Sequence, residues 1–105
     1  NCTSKNEQSI PYIEQAWNTY NNEESKLAVL TINVRDSSSA ISSFLEYGQY
    51  SFTVLRDTGA RVANMYSVDG IPVTVLIDKD GIIQDVVIGA FPNWASLDNK
   101  LTKII

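Results

Sequence analysis

The sequence predicts an α/β fold in which a mixed central β-sheet is flanked by helices, and three patterns support this prediction. Segments with apolar residues at helical spacing alternate with β-rich runs. The run LAVLTINV at residues 27–34 hardly alternates between apolar and polar residues, which is typical of a strand buried on both faces of a parallel sheet. The block GIPVTVLIDKDG at residues 70–81 places a proline before a strand and a tight turn after it. With 105 residues, the chain is predicted to form one domain, residues 1–105.

The first part of the chain is predicted to run helix, strand, helix. Apolar residues at spacings of three and four predict an amphipathic helix over residues 7–20, with Pro11 in its first turns. The buried strand at 27–34 follows. Asp36 and the three serines after it are residues that often cap helices, so we expect a second helix that ends near Gly48.

The second part is predicted to run strand, helix, strand, strand, helix. A short strand at residues 52–55 leads through the turn at Asp57 into a short helix. The proline block then supplies two antiparallel strands around the turn at 78–81. A final helix starts near Trp94, because apolar residues step by three and four from there. We expect three large side chains at helical spacing to lie in the core: Met65, Trp17 and Trp94.

The proline block also predicts an unusual peptide bond. Gly70 frees the backbone to bend, and the ring of Pro72 pushes Ile71 toward extended geometry. We therefore expect a cis peptide between Ile71 and Pro72. The block resembles the cis-proline loop and following hairpin of thioredoxin-like proteins, and it is most similar to the TlpA and ResA branch. This resemblance implies a thioredoxin-like fold in which Ile71 and Pro72 meet a substrate peptide or disulfide.

The resemblance also implies a strand that the sequence does not contain. In thioredoxin-like folds a central strand precedes the first helix and lies between the strands expected here at 27–34 and 73–78. Without it, buried ladder groups would lack partners at a cost of about 1 to 3 kcal/mol each. We therefore expect that the natural protein has residues upstream of Asn1, or that another chain supplies a strand.

The segment NCTSKNEQSIP resembles the active-site helix start of the TlpA and ResA family, where two cysteines are separated by two residues. Cys2 matches the first cysteine, and Lys5 replaces the second. One extra residue before Pro11 leaves open an alignment in which Thr3 and Asn6 occupy the two cysteine positions. The chain has one cysteine, so a dithiol cycle cannot close within it.

Single-thiol chemistry at Cys2 is still compatible with this pattern. A helix N-terminus stabilises a thiolate, and Lys5 adds positive charge within one turn. Cys2 could then form a mixed disulfide or be oxidised to sulfenic acid. An inert cysteine at a vestigial site is the alternative.

The end of the strand at 27–34 carries a second resemblance to ResA-like proteins. These proteins have an acidic residue at the position of Asp36, and the resemblance implies that this residue manages the protons of the active-site sulfurs. A helix N-cap is the alternative role for Asp36. Asp57 matches a strand-end aspartate of the family and is expected to be structural. Asp78 and Asp80 belong to the hairpin turn, which is too short for an EF-hand.

Composition narrows the remaining classes of function. The net charge is −4 and the eight basic residues are scattered, so no nucleic-acid partner is expected. The absence of histidine argues against hydrolases and the usual zinc sites, and we expect no cofactor and no metal. Membrane association is expected only through a segment upstream of the chain. The resemblance implies an extracytoplasmic location in bacteria, and the sequence does not indicate an oligomeric state.

Three functions follow, in order of preference. The first is a thiol-disulfide oxidoreductase of the TlpA and ResA type with a degenerate cysteine motif, acting on a protein or small-molecule thiol or disulfide through Cys2, Lys5 and Asp36. The second is a redox-inactive domain that binds a partner at the proline loop. The third is a peroxiredoxin-like thiol peroxidase, which shares a cysteine at a helix start and the IDKDG hairpin.

Overall fold

The computed structural model describes residues 3–21 and 26–105, with side chains in the first helix from residue 8 onward. The predicted order of helices and strands is confirmed. The elements are α1 (Thr3–Tyr20), β1 (Leu30–Val34), α2 (Ser38–Gly48), β2 (Thr53–Asp57), α3 (Arg61–Met65), β3 (Val73–Ile77), β4 (Ile83–Ile88) and α4 (Trp94–Leu101).

Two predicted boundaries differ from the structure. Helix α1 begins at Thr3, four residues before the predicted start, so Pro11 lies in the helix interior and not in the first turns. Proline lacks the N–H that would bond one turn back, and the helix continues without that hydrogen bond. Strand β1 begins at Leu30, three residues after the predicted start.

The described strands form two separate sheets of two strands each. Strands β1 and β2 are parallel, with Leu30 opposite Thr53 and Val34 opposite Asp57. Strands β3 and β4 are antiparallel, with Val73 opposite Ile88 and a register irregularity near the hairpin turn. Parallel and antiparallel pairs are therefore both present, as a mixed sheet requires. The expected additional central strand would lie outside the described residues and stays a prediction.

Contacts divide the chain into two compact units. The first unit comprises Asn1–Leu27 and Gly70–Ile105, and it holds α1, β3, β4 and α4. The second unit comprises Ala28–Asp69, and it holds β1, α2, β2 and α3. The prediction that residues 1–105 form one domain is not tested by this division.

The first unit is organised around one apolar cluster. Side chains from α1, β3 and α4, together with Phe91, pack with almost no exposure to solvent; they are Ala16, Leu76, Phe91, Leu97 and Leu101. Phe91 and Leu97 are the largest fully buried side chains among the described residues. Trp94 packs against this cluster, as predicted for a core residue, whereas Trp17 is half-buried.

Polar contacts also connect the elements of the first unit. The Tyr20 hydroxyl donates to the Asp98 carboxylate, which links α1 to α4. This hydrogen bond raises the pKa of Tyr20, because the neutral hydroxyl is the form that donates. Lys100 Nζ donates to Asp85 Oδ2 at 2.6 Å and links α4 to β4.

The second unit buries fewer side chains. Phe52 and Ala60 are its buried apolar residues among those described, and the Tyr50 ring lies 5.5 Å from the Phe52 ring. The prediction that the first strand is fully buried is wrong, because Leu30 at its start is 63% exposed. The prediction of a core position for Met65 is also wrong, because this side chain is 74% exposed.

Candidate functional site

The proline loop lies directly before β3. The peptide bond between Ile71 and Pro72 is cis, as predicted. The Pro72 carbonyl accepts a hydrogen bond from the Gly89 N–H at 2.9 Å, which fixes the loop to the end of β4. Gly89 has a φ of 98°, a conformation that favours glycine. Among the described residues, the backbone N–H and carbonyl of Ile71 have no hydrogen-bond partner.

A buried hydrogen bond connects this loop to α1. The Phe91 N–H donates to Ser9 Oγ at 2.9 Å, and Ser9 is only 4% exposed. Because Phe91 is two residues after Gly89, the same short segment is bonded to the proline loop and to the N-terminal half of α1. This segment positions the loop against the first helix.

The role of Ser9 was missed at the sequence level, although a signal was present. Ser9 precedes Ile13 by four residues and Ala16 by seven, so it lies on the apolar face of α1. A hydroxyl on such a face needs a buried partner. That pattern predicts a tertiary hydrogen bond.

Cys2 lies outside the described residues, and so does the side chain of Lys5. Helix α1 begins at Thr3, so Cys2 immediately precedes the first helical residue and Lys5 is in the first helical turn. The first unit contains this helix start and the proline loop. The roles assigned to Cys2 and Lys5 stay predictions.

Asp36 belongs to the second unit and follows β1. Asn33 Nδ2 donates to Asp36 Oδ2 at 3.0 Å, and the Asp36 N–H donates to Asn33 Oδ1 at 3.1 Å. The helix N-cap is Ser37, whose hydroxyl accepts from the Ala40 N–H at 3.2 Å. The alternative N-cap role for Asp36 is therefore wrong, because its carboxylate is bonded back to the strand end.

Two other aspartates have the structural positions predicted for them. Asp57 is buried and accepts from the Ala63 N–H at 2.9 Å, a hydrogen bond that lowers the pKa of this carboxyl group. Asp78 accepts from Gln84 Nε2 at 2.6 Å and from the Ile82 N–H at 3.0 Å, and both contacts lower its pKa. These carboxylates stabilise a strand-to-helix turn and a hairpin turn.

The described residues contain neither a metal-binding cluster nor a helix that could span a membrane. They hold no group of three or more histidine, cysteine, aspartate or glutamate side chains placed to bind a metal ion. Within the same part of the chain, no helix has the length and apolar character needed to cross a membrane.

Curated proteins that are similar to this chain are named as thiol-disulfide oxidoreductases. The chain is 28% identical over 83 residues to the thiol-disulfide oxidoreductase ResA of Bacillus cereus, which covers 79% of this chain and 47% of that protein. Identity and coverage are the same for ResA of Geobacillus kaustophilus. The chain therefore spans about half the length of these relatives.

Solved structures establish the fold. StoA from Bacillus subtilis superimposes with a TM-score of 0.75 at 17% identity, over 93% of this chain and 72% of that one. A thiol-disulfide isomerase from Corynebacterium glutamicum gives a TM-score of 0.81 at 18% identity, over 95% and 71% of the two chains. The predicted thioredoxin-like α/β fold is confirmed. The model of the AhpC/TSA family matches residues 2–86, and the chain therefore belongs to that family, with a TlpA/ResA-like character.

Proposed function

We propose that this chain carries out thiol-disulfide exchange, with Cys2 as the reacting thiol and the Ile71–Pro72 loop as the substrate platform. The observation that carries the proposal is the backbone of Ile71, whose polar groups have no partner among the described residues. An extended peptide can pair with such groups as it would with a strand edge. Membership of the AhpC/TSA family and similarity to ResA support the same activity.

The proposed reaction needs one thiolate on this chain. The Cys2 thiolate attacks one sulfur of a substrate disulfide, a new disulfide forms between Cys2 and that sulfur, and the other substrate sulfur leaves as a thiolate. An external thiolate then attacks the substrate sulfur of the mixed disulfide and forms a disulfide with it, and Cys2 leaves as a thiolate. Full reduction of a substrate disulfide consumes two external thiols, which together become one disulfide and supply the two electrons, because the chain has no second cysteine.

Two residues are proposed to assist Cys2. Lys5, in the first turn of α1, adds positive charge that favours the thiolate together with the helix dipole. Asp36 is proposed to exchange protons with the reacting sulfurs, and its anchoring to Asn33 supports a fixed carboxylate. Replacement of Asp36 by Asn should change the pH dependence of the exchange rate without preventing folding.

The reactivity of Cys2 tests the proposal directly. Alkylation of the chain by iodoacetamide as a function of pH should give a thiol pKa below about 8.5, the ordinary value for cysteine. Lys5→Gln should raise that pKa, and Lys26→Gln is the matched control outside the helix. A thiol that titrates above about 8.5 would count against the proposal.

A binding domain is the second candidate function, and the single cysteine favours it. In that case partner binding at the Ile71–Pro72 loop should survive Cys2→Ser, whereas the oxidoreductase requires its loss. A peroxidase would consume peroxide in the presence of an external thiol, and that assay separates the third candidate.

The substrate and the location are part of the proposal. The names of the relatives support a thiol or disulfide as substrate, and we propose that it is carried by a protein. The extracytoplasmic location stays a prediction from the family resemblance.

A further inference from the structure

All three arginines of the chain lie in the second unit, at the end of the parallel β1–β2 pair where both strands terminate. Arg35 directly follows β1, Arg56 is the penultimate residue of β2, and Arg61 is the first residue of α3. The Arg35 N–H donates to the Asp57 carbonyl at 3.2 Å, which holds the two strand ends together. A chain with a net charge of −4 thus has its three arginines at or shortly after the C-terminal ends of these two strands.

A surface cavity of about 490 Å³, open to solvent, is formed by the segment 56–65 at the end of β2 and the start of α3. Arg56 and Arg61 line it together with Thr58, Val62 and Met65. Both arginines are exposed, and among the described residues neither forms a salt bridge. Ligands of α/β folds commonly bind where parallel strands end.

The carboxylate of Asp57 also lines the cavity. It is 6% exposed and accepts from the Ala63 N–H, which lowers its pKa most; the amides of Val62 and Arg61 and the charge of the Arg61 guanidinium lower it further. The two guanidinium groups outnumber the one carboxylate in the lining, so the cavity has an excess of positive charge.

We propose that this cavity binds the oxyanion group of a small organic molecule, a carboxylate or a phosphate monoester, through Arg56 and Arg61. Guanidinium groups donate paired hydrogen bonds that match the geometry of both anions. The apolar part of the molecule would contact Val62 and Met65. Met65 is 74% exposed, and a flexible thioether suits ligands of varied shape.

Calorimetric titration of the chain with phenyl phosphate, benzoate and benzyl alcohol tests the proposal. We expect saturable binding of at least one of the two anions and none of the neutral alcohol. The anion that binds more tightly distinguishes a phosphate ester from a carboxylate as the natural ligand group. Absence of saturable binding for both anions up to about 10 mM would overturn the proposal.

Substitutions of the arginines distinguish specific binding in this cavity from nonspecific attraction to the positive charge near the strand ends. Arg56→Gln and Arg61→Gln should each weaken binding about tenfold, which is the loss expected for a charge-assisted hydrogen bond. Arg35→Gln also removes one positive charge near the strand ends, but Arg35 does not line the cavity. This variant should therefore change the affinity by less than about threefold. Equal losses of affinity in Arg35→Gln and Arg56→Gln would contradict a specific binding site formed by Arg56 and Arg61.

Substitution of Met65 in the apolar part of the lining tests the proposal independently of the arginines. Met65→Ala should weaken phenyl phosphate severalfold and leave the affinity for inorganic phosphate unchanged, because inorganic phosphate has no apolar part to contact the thioether. An equal effect on both ligands would show that Met65 does not contact the ligand. Because Met65 is exposed, this variant should keep the wild-type melting temperature.

Discussion

The two units contain the same inventory, two helices and two strands each, but they use their apolar residues differently. In the first unit the helices and the antiparallel hairpin close around Phe91 and Leu97. In the second unit the buried apolar residues among those described are Phe52 and Ala60, while both units leave other large apolar side chains exposed, such as Met65 and Ile88. The comparison teaches that the proline loop belongs to the unit with more buried apolar residues, whereas the arginine cavity belongs to the unit with fewer.

The largest expected effect comes from emptying the core of the first unit. Phe91→Ala should lower the free energy of unfolding by about 3 to 5 kcal/mol, because Phe91 is fully buried. Leu55→Ala in the second unit should cost about 1 kcal/mol or less, because Leu55 is 45% exposed. Urea denaturation measures both values, and similar losses would contradict the burial of Phe91 or the exposure of Leu55.

The next effect comes from the hydrogen bond that positions the proline loop. Ser9→Ala leaves the buried Phe91 N–H without a partner and should cost about 1 to 3 kcal/mol. Ser43→Ala removes a hydroxyl from an exposed position on α2 and should stay within about 0.5 kcal/mol of wild type. If urea denaturation finds Ser9→Ala as stable as Ser43→Ala, the hydrogen bond does not hold α1 to the loop segment.

Helix caps provide a matched pair with a smaller effect. Asn93 Oδ1 accepts from the Ser96 N–H at 2.9 Å in the first unit, and Ser37 Oγ accepts from the Ala40 N–H at 3.2 Å in the second. Asn93→Ala and Ser37→Ala should each destabilise their helix by about 1 kcal/mol. Hydrogen exchange of α4 and α2 amides locates each loss. A Ser37→Ala variant with unchanged exchange in α2 would reopen the assignment of its N-cap.

The smallest effect concerns the exposed ion pair of the first unit. Lys100 lowers the pKa of Asp85, so the carboxylate stabilises the fold above about pH 4 and this contribution is lost as pH falls through its lowered pKa. Asp85→Asn should therefore lower the melting temperature slightly at pH 7 and hardly at all in strong acid. High salt should reduce the difference, because both partners are partly exposed.

The matched carboxylate of the second unit is Asp57. Its lowered pKa comes mainly from the Ala63 amide, a buried contact that salt screens little. Asp57→Asn should therefore lower the melting temperature at low and high salt alike. A salt-sensitive effect at Asp57, or a salt-insensitive one at Asp85, would contradict the assigned causes.

Local patterns were sufficient to predict the order of the elements and the proline loop. Apolar spacing indicated the final helix from Trp94, and the flanks of Pro72 indicated the cis peptide. Burial was predicted less well, because the exposure of Leu30 and Met65 depends on tertiary neighbours that one sequence does not reveal.

The candidate site could likewise be predicted only where local sequence patterns determine it. Four consecutive cap-type residues follow Arg35, so sequence alone could not choose Ser37 over Asp36 as the N-cap. The arginine cavity is lined by residues of the single segment 56–65, and the spacing of its two arginines did not indicate how the end of β2 and the start of α3 would place them.

The central claim is that Cys2 exchanges disulfides with a substrate held by the backbone of Ile71. Its most direct test compares the rates of mixed-disulfide formation with a peptide disulfide and with a small aromatic disulfide. Ile71→Pro removes the Ile71 N–H, which has no partner in the described part of the chain, and keeps extended geometry before Pro72; Ile71→Val is the control. We predict about a tenfold slower reaction of Ile71→Pro with the peptide disulfide alone, the loss of one hydrogen bond. Equal rates with the peptide disulfide in wild type and Ile71→Pro would contradict the claim.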